Sequence, residues 1–333
     1  MKYRKLGTTD LTVSEVAFGV WSVSTGWWGK VEKDDALRLL RKAAHEGVTL
    51  FDTADTYAEG YGEEILREAF PKGRNDIIIG TKFGYDIHAP RQAEQHERPQ
   101  RWDFEFVRKA CEDSLRRLGT DYIDLWQLHN PRIDTIKNDE LFDTLDLLVK
   151  EGKVRHYGVA LGPDIGWRTE GNASIAERQV PSMQIIYSII EQQPAREFFP
   201  AAHEHQTGLL ARVPHASEIL TDEFTGQMTV EFDPSDHRAH RKQEWLNLAF
   251  RKRERILFVA QETGRTLAQA AIQFCLGEPN IAAVLPNIVR QDQLDEFTAG
   301  TEVPPLTTGE ITELNRLYDE EFASLEDIQP QRA

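Results

Sequence analysis

The chain has 333 residues, a length that fits two ordinary domains or one large α/β barrel, and 40% of them are apolar, which is ample for a core. Its formal net charge of −16 repels nucleic acid and anionic membranes, apart from local patches. No window is apolar enough to span a bilayer, and the start lacks the apolar segment of a signal peptide. Nothing in the sequence near Cys111 or Cys275 suggests a metal site. We therefore expect a cytoplasmic protein with reduced, structural thiols.

The first elements predicted along the chain are a hairpin and a strand–helix unit. Residues 3–6 and 12–14 flank a segment with turn chemistry, and residues 15–19 follow as a strand. A tryptophan-rich loop, 21–30, precedes a helix over 34–46, for which Asp34 is a suitable cap.

Short apolar strands then alternate with amphipathic helices, the pattern of βαβ units on a parallel sheet. Eight strand–helix steps without a linker predict a single domain, 1–333, of α/β class: a closed (β/α)8 TIM barrel with an N-terminal β-hairpin and extra C-terminal helices. Loops 84–103 and 213–240 are expected over the C-terminal face. The later strands are predicted at 48–52, 77–81, 123–129, 154–161, 182–185, 208–212 and 281–285, and the later helices at 63–70, 104–118, 139–150, 172–177, 195–205, 242–263, 266–276, 291–299 and 308–322.

Three predicted strands end in side chains suited to chemistry. An apolar run stops at Asp52, the next strand leads into Lys82, and a third ends in His129. Tyr57 follows shortly after Asp52. Taken singly, each has an ordinary structural interpretation as a turn cap, a solvated charge or a packed ring. Because strand ends of a parallel barrel meet at one face, their combination predicts an active site.

The motifs around these residues identify a family. Phe51-Asp52-Thr53-Ala54 through Tyr57 and Glu63, with Thr81-Lys82 and Gln127-Leu128-His129, resembles the aldo-keto reductase superfamily. Similar motifs occur at 114–125 and 148–159, and the resemblance thins at 213–240 and after residue 299. It implies a (β/α)8 barrel that binds NADPH, less often NADH, without a Rossmann domain, and the chain contains no G-x-G-x-x-G.

Carbonyl reduction needs a hydride donor and a proton donor, and no side chain donates hydride, so a nicotinamide is required. The resemblance implies a catalytic tetrad in which Tyr57 donates the proton. A free phenol, with a pKa of about 10, is a weak acid that a nearby ammonium strengthens. Lys82 would supply that charge, Asp52 would hold the lysine, and neutral His129 would orient the substrate oxygen.

Contacts to the nicotinamide follow from the same resemblance. Gln184 matches the glutamine that binds the carboxamide, whereas Ala160 and Leu161 replace a Ser-Asn pair and lack its hydrogen-bonding groups. Arg212 stands where an aromatic residue normally stacks under the ring. A guanidinium can stack too, or it can bind the pyrophosphate or a nearby carboxylate.

The segment 285–296 corresponds to the one that grips the adenosine 2′-phosphate. Its helix start suits a phosphate, and Arg290 is the expected bidentate partner, with a solvated cap as its structural alternative. A second basic residue common in the family is Gln293 here, and the usual adenine-contacting asparagine is Phe297. NADPH is favoured, with NADH as the alternative. The candidate cofactor contacts are Gln184, Arg212, Asn287, Arg290, Gln293 and Glu296.

Loops at the C-terminal face are expected to form the substrate pocket. Candidates are Trp21, Trp27, Trp28 and Tyr85, whose large rigid rings suit a carbonyl pocket and equally suit a lid that packs on itself. The insertion 84–103 holds His88 and His96 among acids, but their spacing resembles no known metal site, and we predict no metal.

The leading interpretation is a nicotinamide-dependent reductase of aldehydes, ketones or sugar-like carbonyls. Three alternatives remain: an NAD-dependent alcohol or sugar dehydrogenase, a nucleotide-sensing barrel that regulates a partner, and an unrelated barrel isomerase or aldolase with Lys82 as a Schiff-base nucleophile. A small-molecule carbonyl substrate is the expected partner, without nucleic acid or membrane. The sequence does not determine the oligomeric state.

Overall fold

The computed structural model describes residues 1–90, 98–162, 167–224, 232, 236–240, 243–261 and 263–323. Within these ranges the chain alternates strand and helix, as predicted. The strands are β1 (Tyr3–Lys5), β2 (Thr12–Ser14), β3 (Phe18–Gly19), β4 (Leu50–Asp52), β5 (Ile78–Phe83), β6 (Ile123–His129), β7 (Val154–Ala160), β8 (Ser182–Ile186), β9 (Gly208–Arg212) and β10 (Ile281–Leu285).

Helices connect these strands and follow the last one. They are α1 (Trp21–Ser24), α2 (Lys33–His45), α3 (Tyr61–Ala69), α4 (Phe104–Leu118), α5 (Ile133–Ile136), α6 (Asp139–Lys150), α7 (Arg168–Asn172), α8 (Ala195–His205), α9 (Gln243–Ile256), α10 (Leu267–Leu276), α11 (Gln291–Ala299) and α12 (Thr308–Leu317). Short 3-10 or π-helical turns lie at Arg74–Asp76, Ala173–Glu177, Asp222–Phe224, His237–His240, Leu257–Val259 and Tyr318–Phe322.

Strands β3 to β10 form one parallel sheet in which sequence neighbours pair in order. The ends of the sheet meet, since the Ala17 N–H donates to the Val284 carbonyl and the Val284 N–H donates to the Glu15 carbonyl, both at 2.9 Å. With helices between successive strands, this is the predicted (β/α)8 barrel.

The N-terminal hairpin of β1 and β2 contributes to the inner core of the barrel. Leu6, Leu11 and Val13 pack with strand residues such as Leu50 and Leu125. The approach is close: a Cβ on Gly7 would lie 2.3 Å from the Pro181 carbonyl oxygen, and the φ of Gly7 is +54°. Only glycine fits this contact.

Most predicted elements coincide with the structure, and the differences have local causes. Strand β5 extends to Phe83, because residues 80–83 pair with 125–128 of β6. The charged helix predicted over 242–263 ends at Ile256, where a 3-10 turn begins. The carbonyl of Val259 at the end of that turn accepts from the Arg265 Nε at 2.7 Å. The short helix α1 within the loop 21–30 was not predicted.

The C-terminal ends of the strands collect the side chains predicted to be functional. Asp52 is the last residue of β4, His129 is the last of β6, and Arg212 is the last of β9, while Lys82 is next to last in β5. Of the helices described, none is both long and apolar enough to cross a bilayer. The domain bounds and the two loop ranges stay predictions, since parts of both loops lie outside the described residues.

Candidate functional site

The centre of the site is a buried ion pair at the barrel mouth. The Nζ of Lys82, whose side chain is 1% exposed, donates to the Asp52 Oδ1 at 2.5 Å. It also donates to the Thr53 carbonyl at 2.8 Å and to the Tyr57 hydroxyl at 3.2 Å. The structure therefore brings three of the four predicted catalytic residues into direct contact.

The charge of this lysine follows from two opposing effects. Burial acts to lower the pKa of Lys82, but the Asp52 carboxylate and the Tyr57 hydroxyl outweigh it, and the pKa is raised. Lys82 is therefore an ammonium at neutral pH, held 3.2 Å from a phenol oxygen.

Asp52 is anchored by more than the lysine. Its Oδ2 accepts hydrogen bonds from the Nε2 of Gln127 and from the Nε2 of Gln184, both at 3.0 Å. Gln127 was not among the predicted site residues. The sequence feature that could have identified it as a site residue is its polar side chain inside the buried, mainly apolar strand β6. The three donors, Lys82, Gln127 and Gln184, together hold the carboxylate in one orientation.

His129 completes the group across from Tyr57. The two rings meet edge to face with centroids 6.2 Å apart, and the Tyr85 ring is 5.2 Å from that of His129. Burial, followed by the charges of Lys82 and Arg212, lowers the pKa of His129 well below its usual range. The imidazole is therefore neutral at physiological pH, and its Nδ1 is buried without a hydrogen-bond partner among the described residues.

The turn after Tyr57 is tightly built. Ala58 and Glu59 both have positive φ, of 47° and 57°, which costs about 1–3 kcal/mol for each non-glycine residue. On the other side, a Cβ on Gly62 would lie 2.9 Å from the Tyr57 Cβ, so helix α3 packs directly against this residue. Strain at this turn places Tyr57 at the mouth of the barrel.

A second acid, Asp55, lies buried behind the ion pair. Its N–H donates to the Lys82 carbonyl at 3.2 Å. Burial, then the charge of Glu63, raises the pKa of Asp55 well above its usual range. Burial therefore disfavours the ionised form of Asp55, and the Lys82 Nζ donates to Asp52 instead.

Gln184 and Arg212 line the same cavity on later strands of the barrel. The Nε2 of Gln184 donates one of its two hydrogens to Asp52, so its second N–H and its amide oxygen are the groups that could contact a ligand. The Arg212 guanidinium donates to the Leu161 carbonyl at 2.8 Å, while its buried Nε has no hydrogen-bond partner within the described part of the chain. Both predicted residues thus lie at the site, and their roles stay predictions.

The predicted phosphate segment is already paired internally. Arg290 donates to Glu223 at 2.8 Å and to Asp292 at 3.1 Å. The Oε1 of Gln293 accepts from the N–H groups of Val289 and Arg290, at 3.0 and 3.2 Å, so two of the backbone donors expected to suit a phosphate are occupied.

Of the other two predicted cofactor contacts, Asn287 and Glu296, only Asn287 is among the residues that line the cavity. Asn287 lines the cavity, and its Nδ2 contacts the Glu218 Oε1 at 3.4 Å. Glu296 instead accepts from the Thr266 hydroxyl at 2.6 Å. Glu296 therefore joins α11 to the start of α10 and is not among the residues that line the cavity.

The cavity has a volume of about 640 Å³ and opens at the barrel mouth. Trp21, Trp27, Trp28 and Tyr85 all line it. The Trp21 ring meets those of Trp27 and Trp28 edge-on, with centroids 6.2 and 5.4 Å apart. The four predicted pocket aromatics are thus together at the site, and the tryptophans also pack on one another.

Two described residues of the predicted insertion 84–103, Tyr85 and Arg98, line the cavity. The ends of this insertion pair through Tyr85 and Gln100, and Arg98 forms an ion pair with Glu59. His96 lies outside the described residues. Among those that are described, no group of three or more His, Cys, Asp or Glu side chains is placed to hold a metal ion.

Known proteins match this chain over most of its length. The model of the Aldo/keto reductase family matches residues 15–319. An uncharacterized oxidoreductase of Bacillus subtilis, YqkF, is 31% identical over 94% of this chain and 95% of its own. A probable voltage-gated potassium channel subunit beta of Arabidopsis thaliana is 28% identical over 92% and 93%. The holo form of aldo-keto reductase AKR11C1 from Bacillus halodurans superimposes with a TM-score of 0.75 at 29% identity, over 95% of this chain and 96% of that one.

Proposed function

The chain belongs to the aldo/keto reductase family, and on that premise we propose that it reduces aldehydes, ketones or sugar-like carbonyls to alcohols with a nicotinamide cofactor and Tyr57 as proton donor. The observation that carries this proposal is the contact between the Tyr57 hydroxyl and the Lys82 ammonium at 3.2 Å, beside a cavity at the barrel mouth.

The residues present suit a nicotinamide. Gln184 offers its amide oxygen to a carboxamide, and the planar Arg212 guanidinium lies in the same cavity with an unpaired, buried Nε. Such a group supplies the hydride when bound. A ligand acceptor would satisfy this buried donor.

The chain's own residues would handle the proton. Tyr57, which lines the cavity, would hold the proton on its hydroxyl, and the ammonium 3.2 Å away would stabilise the phenolate that forms. Asp52 keeps the ammonium charged and in place. Neutral His129 would donate an N–H to the same oxygen and fix its position.

Oxidation of an alcohol would use the same groups in reverse. The measured preference for NADPH or NADH therefore separates a reductase from an NAD-dependent dehydrogenase. A second candidate is a nucleotide-sensing barrel that regulates a partner, and the relative named as a probable voltage-gated potassium channel subunit beta fits it only loosely. That candidate predicts cofactor binding without significant turnover. A cytoplasmic location and a small-molecule partner stay predictions.

The test is cofactor titration followed by a panel of aldehydes and ketones, with Tyr57→Phe as the variant. We expect that variant to keep the Kd of the cofactor within about twofold and to lose roughly 10²–10⁴ of kcat, because only the proton donor is removed. A variant that retains near-wild-type turnover would remove Tyr57 from the mechanism. Absence of cofactor binding by the wild type would refute the proposed function.

A further inference from the structure

Arg290 is paired with two acidic side chains, while its own side chain is 49% exposed. Its guanidinium donates to Glu223 at 2.8 Å and to Asp292 at 3.1 Å. The same Glu223 oxygen also accepts from the Gln293 Nε2 at 2.9 Å. Arg290, Glu223, Asp292 and Gln293 are called the Arg290 cluster below. Its only basic side chain is thus already shared between two carboxylates.

The Arg290 cluster lies next to the active-site cavity without lining it. Asn287 lines the cavity, and its Nδ2 contacts the buried Glu218. Arg238 lies 3.8 Å from both Glu218 and Glu223. A series of neighbouring side chains therefore connects the cavity wall at Asn287 to Glu223.

Among the described residues here, carboxylates outnumber cations. The guanidinium groups of Arg238 and Arg290 stand against the carboxylates of Glu223, Asp236 and Asp292. Partial burial acts to raise the pKa values of Asp236 and Asp292, but the hydrogen bonds from Arg238 and Arg290 outweigh it, and both pKa values are lowered. A phosphate placed here would meet an excess of like charge among these residues and would have to displace Glu223 or Asp292 from Arg290.

We propose that Glu223 is a specificity-determining residue that makes this protein prefer NADH to NADPH, which rests on the proposed function. Its carboxylate repels a phosphate on the adenosine 2′-oxygen and accepts a hydrogen bond from the free ribose hydroxyl, the same physical device by which an acidic residue selects NAD in dinucleotide-binding folds. Arg290, expected from the sequence to hold the phosphate, serves instead to fix Glu223.

The experiment measures Kd for NADH and for NADPH by quenching of the tryptophan fluorescence that arises near the cavity. For the wild type we expect NADH to bind about tenfold or more tightly than NADPH, and for Glu223→Gln we expect this ratio to fall by about tenfold, mainly through tighter NADPH binding. Higher salt should reduce the wild-type ratio, because it screens the repulsion, and should change that of the variant less.

Glu313→Gln is the matched control. Glu313 is an exposed acid on α12 that pairs with Arg316, as Glu223 pairs with Arg290, so the control removes the same charge and one ion pair far from the site. Its cofactor ratio should equal that of the wild type.

Tighter binding of NADPH than NADH by the wild type would overturn this inference and leave the proposed function intact. An unchanged ratio in Glu223→Gln would overturn the role of Glu223. If neither cofactor binds, the inference and the proposed function both fall.

Discussion

Replacement of Asp52 by asparagine tests the ion pair on which the site depends. Asp52→Asn keeps the size of the side chain and removes its charge. The Lys82 ammonium, 1% exposed, would lose its counter-charge and keep only uncharged acceptors, namely the new amide oxygen, the Thr53 carbonyl and the Tyr57 hydroxyl. An amide at this position also turns a donor toward other donors, since Gln127 and Gln184 both donate to the present carboxylate at 3.0 Å.

The magnitude follows from this geometry. Two charges 2.5 Å apart attract by at most about 7 kcal/mol at an effective dielectric constant of 20. Desolvation offsets part of this attraction, and breaking a buried pair by removing one partner costs about 3–5 kcal/mol. We expect the free energy of unfolding to fall by that amount and kcat to fall as well.

A double-mutant cycle in urea separates the pair from the general cost of substitution. In the Lys82→Met background no buried cation is left uncompensated, so Asp52→Asn should cost at least about 2 kcal/mol less there than in the wild type. Asp35→Asn breaks an exposed pair with Arg38 and should cost under about 1 kcal/mol. Additivity of the two mutations within about 0.5 kcal/mol would refute a direct interaction between Asp52 and Lys82.

Two further predictions concern Lys82 and the buried acid Glu218. Lys82→Met should lower kcat by roughly 10²–10⁴, because a phenolate formed at position 57 would lose the ammonium that lies 3.2 Å away; a kcat near that of the wild type would contradict this role. Burial raises the pKa of Glu218 to about 8 in the folded state, above its value in the unfolded chain. The protonated carboxyl therefore contributes its full stabilisation below about pH 4.5, and this stabilisation is lost as the pH rises through 8. Between pH 5 and 8 the unfolding free energy of the wild type should therefore fall relative to Glu218→Gln by up to about 1.4 kcal/mol per pH unit, and parallel stability curves for the two proteins would show that Glu218 is ionised in the folded state.

Elements with strong local signals were predicted closely. Helix α4 begins after Asp103, whose side chain accepts from the Phe106 N–H at 3.1 Å, and ends at the left-handed Gly119. The sequence contains both signals, a capping aspartate and a C-terminal glycine, so the observed bounds of α4 agree with the predicted ones. Helix α9 lacks such an end signal, because the residue that binds the Val259 carbonyl, Arg265, belongs to the next segment.

The positions of the predicted tetrad were likewise accessible from the sequence. Asp52, Lys82 and His129 each end or nearly end an apolar strand, and the parallel topology then requires them to share one face. What the pattern did not show is how their unused atoms are satisfied. The Gln127 amide, for example, donates to Asp52 from within β6, and the sequence pattern of that strand indicates burial but not this hydrogen bond.

The chain by itself determined a parallel barrel and the side chains that stand at its mouth, because strand periodicity and strand-end residues are local properties. The proposed choice between a phosphate and a hydroxyl depends on which carboxylate meets Arg290. Its partner Glu223 is 67 positions away along the chain. This pair forms only when Glu223 packs against the start of α11, so the tertiary structure alone decided it.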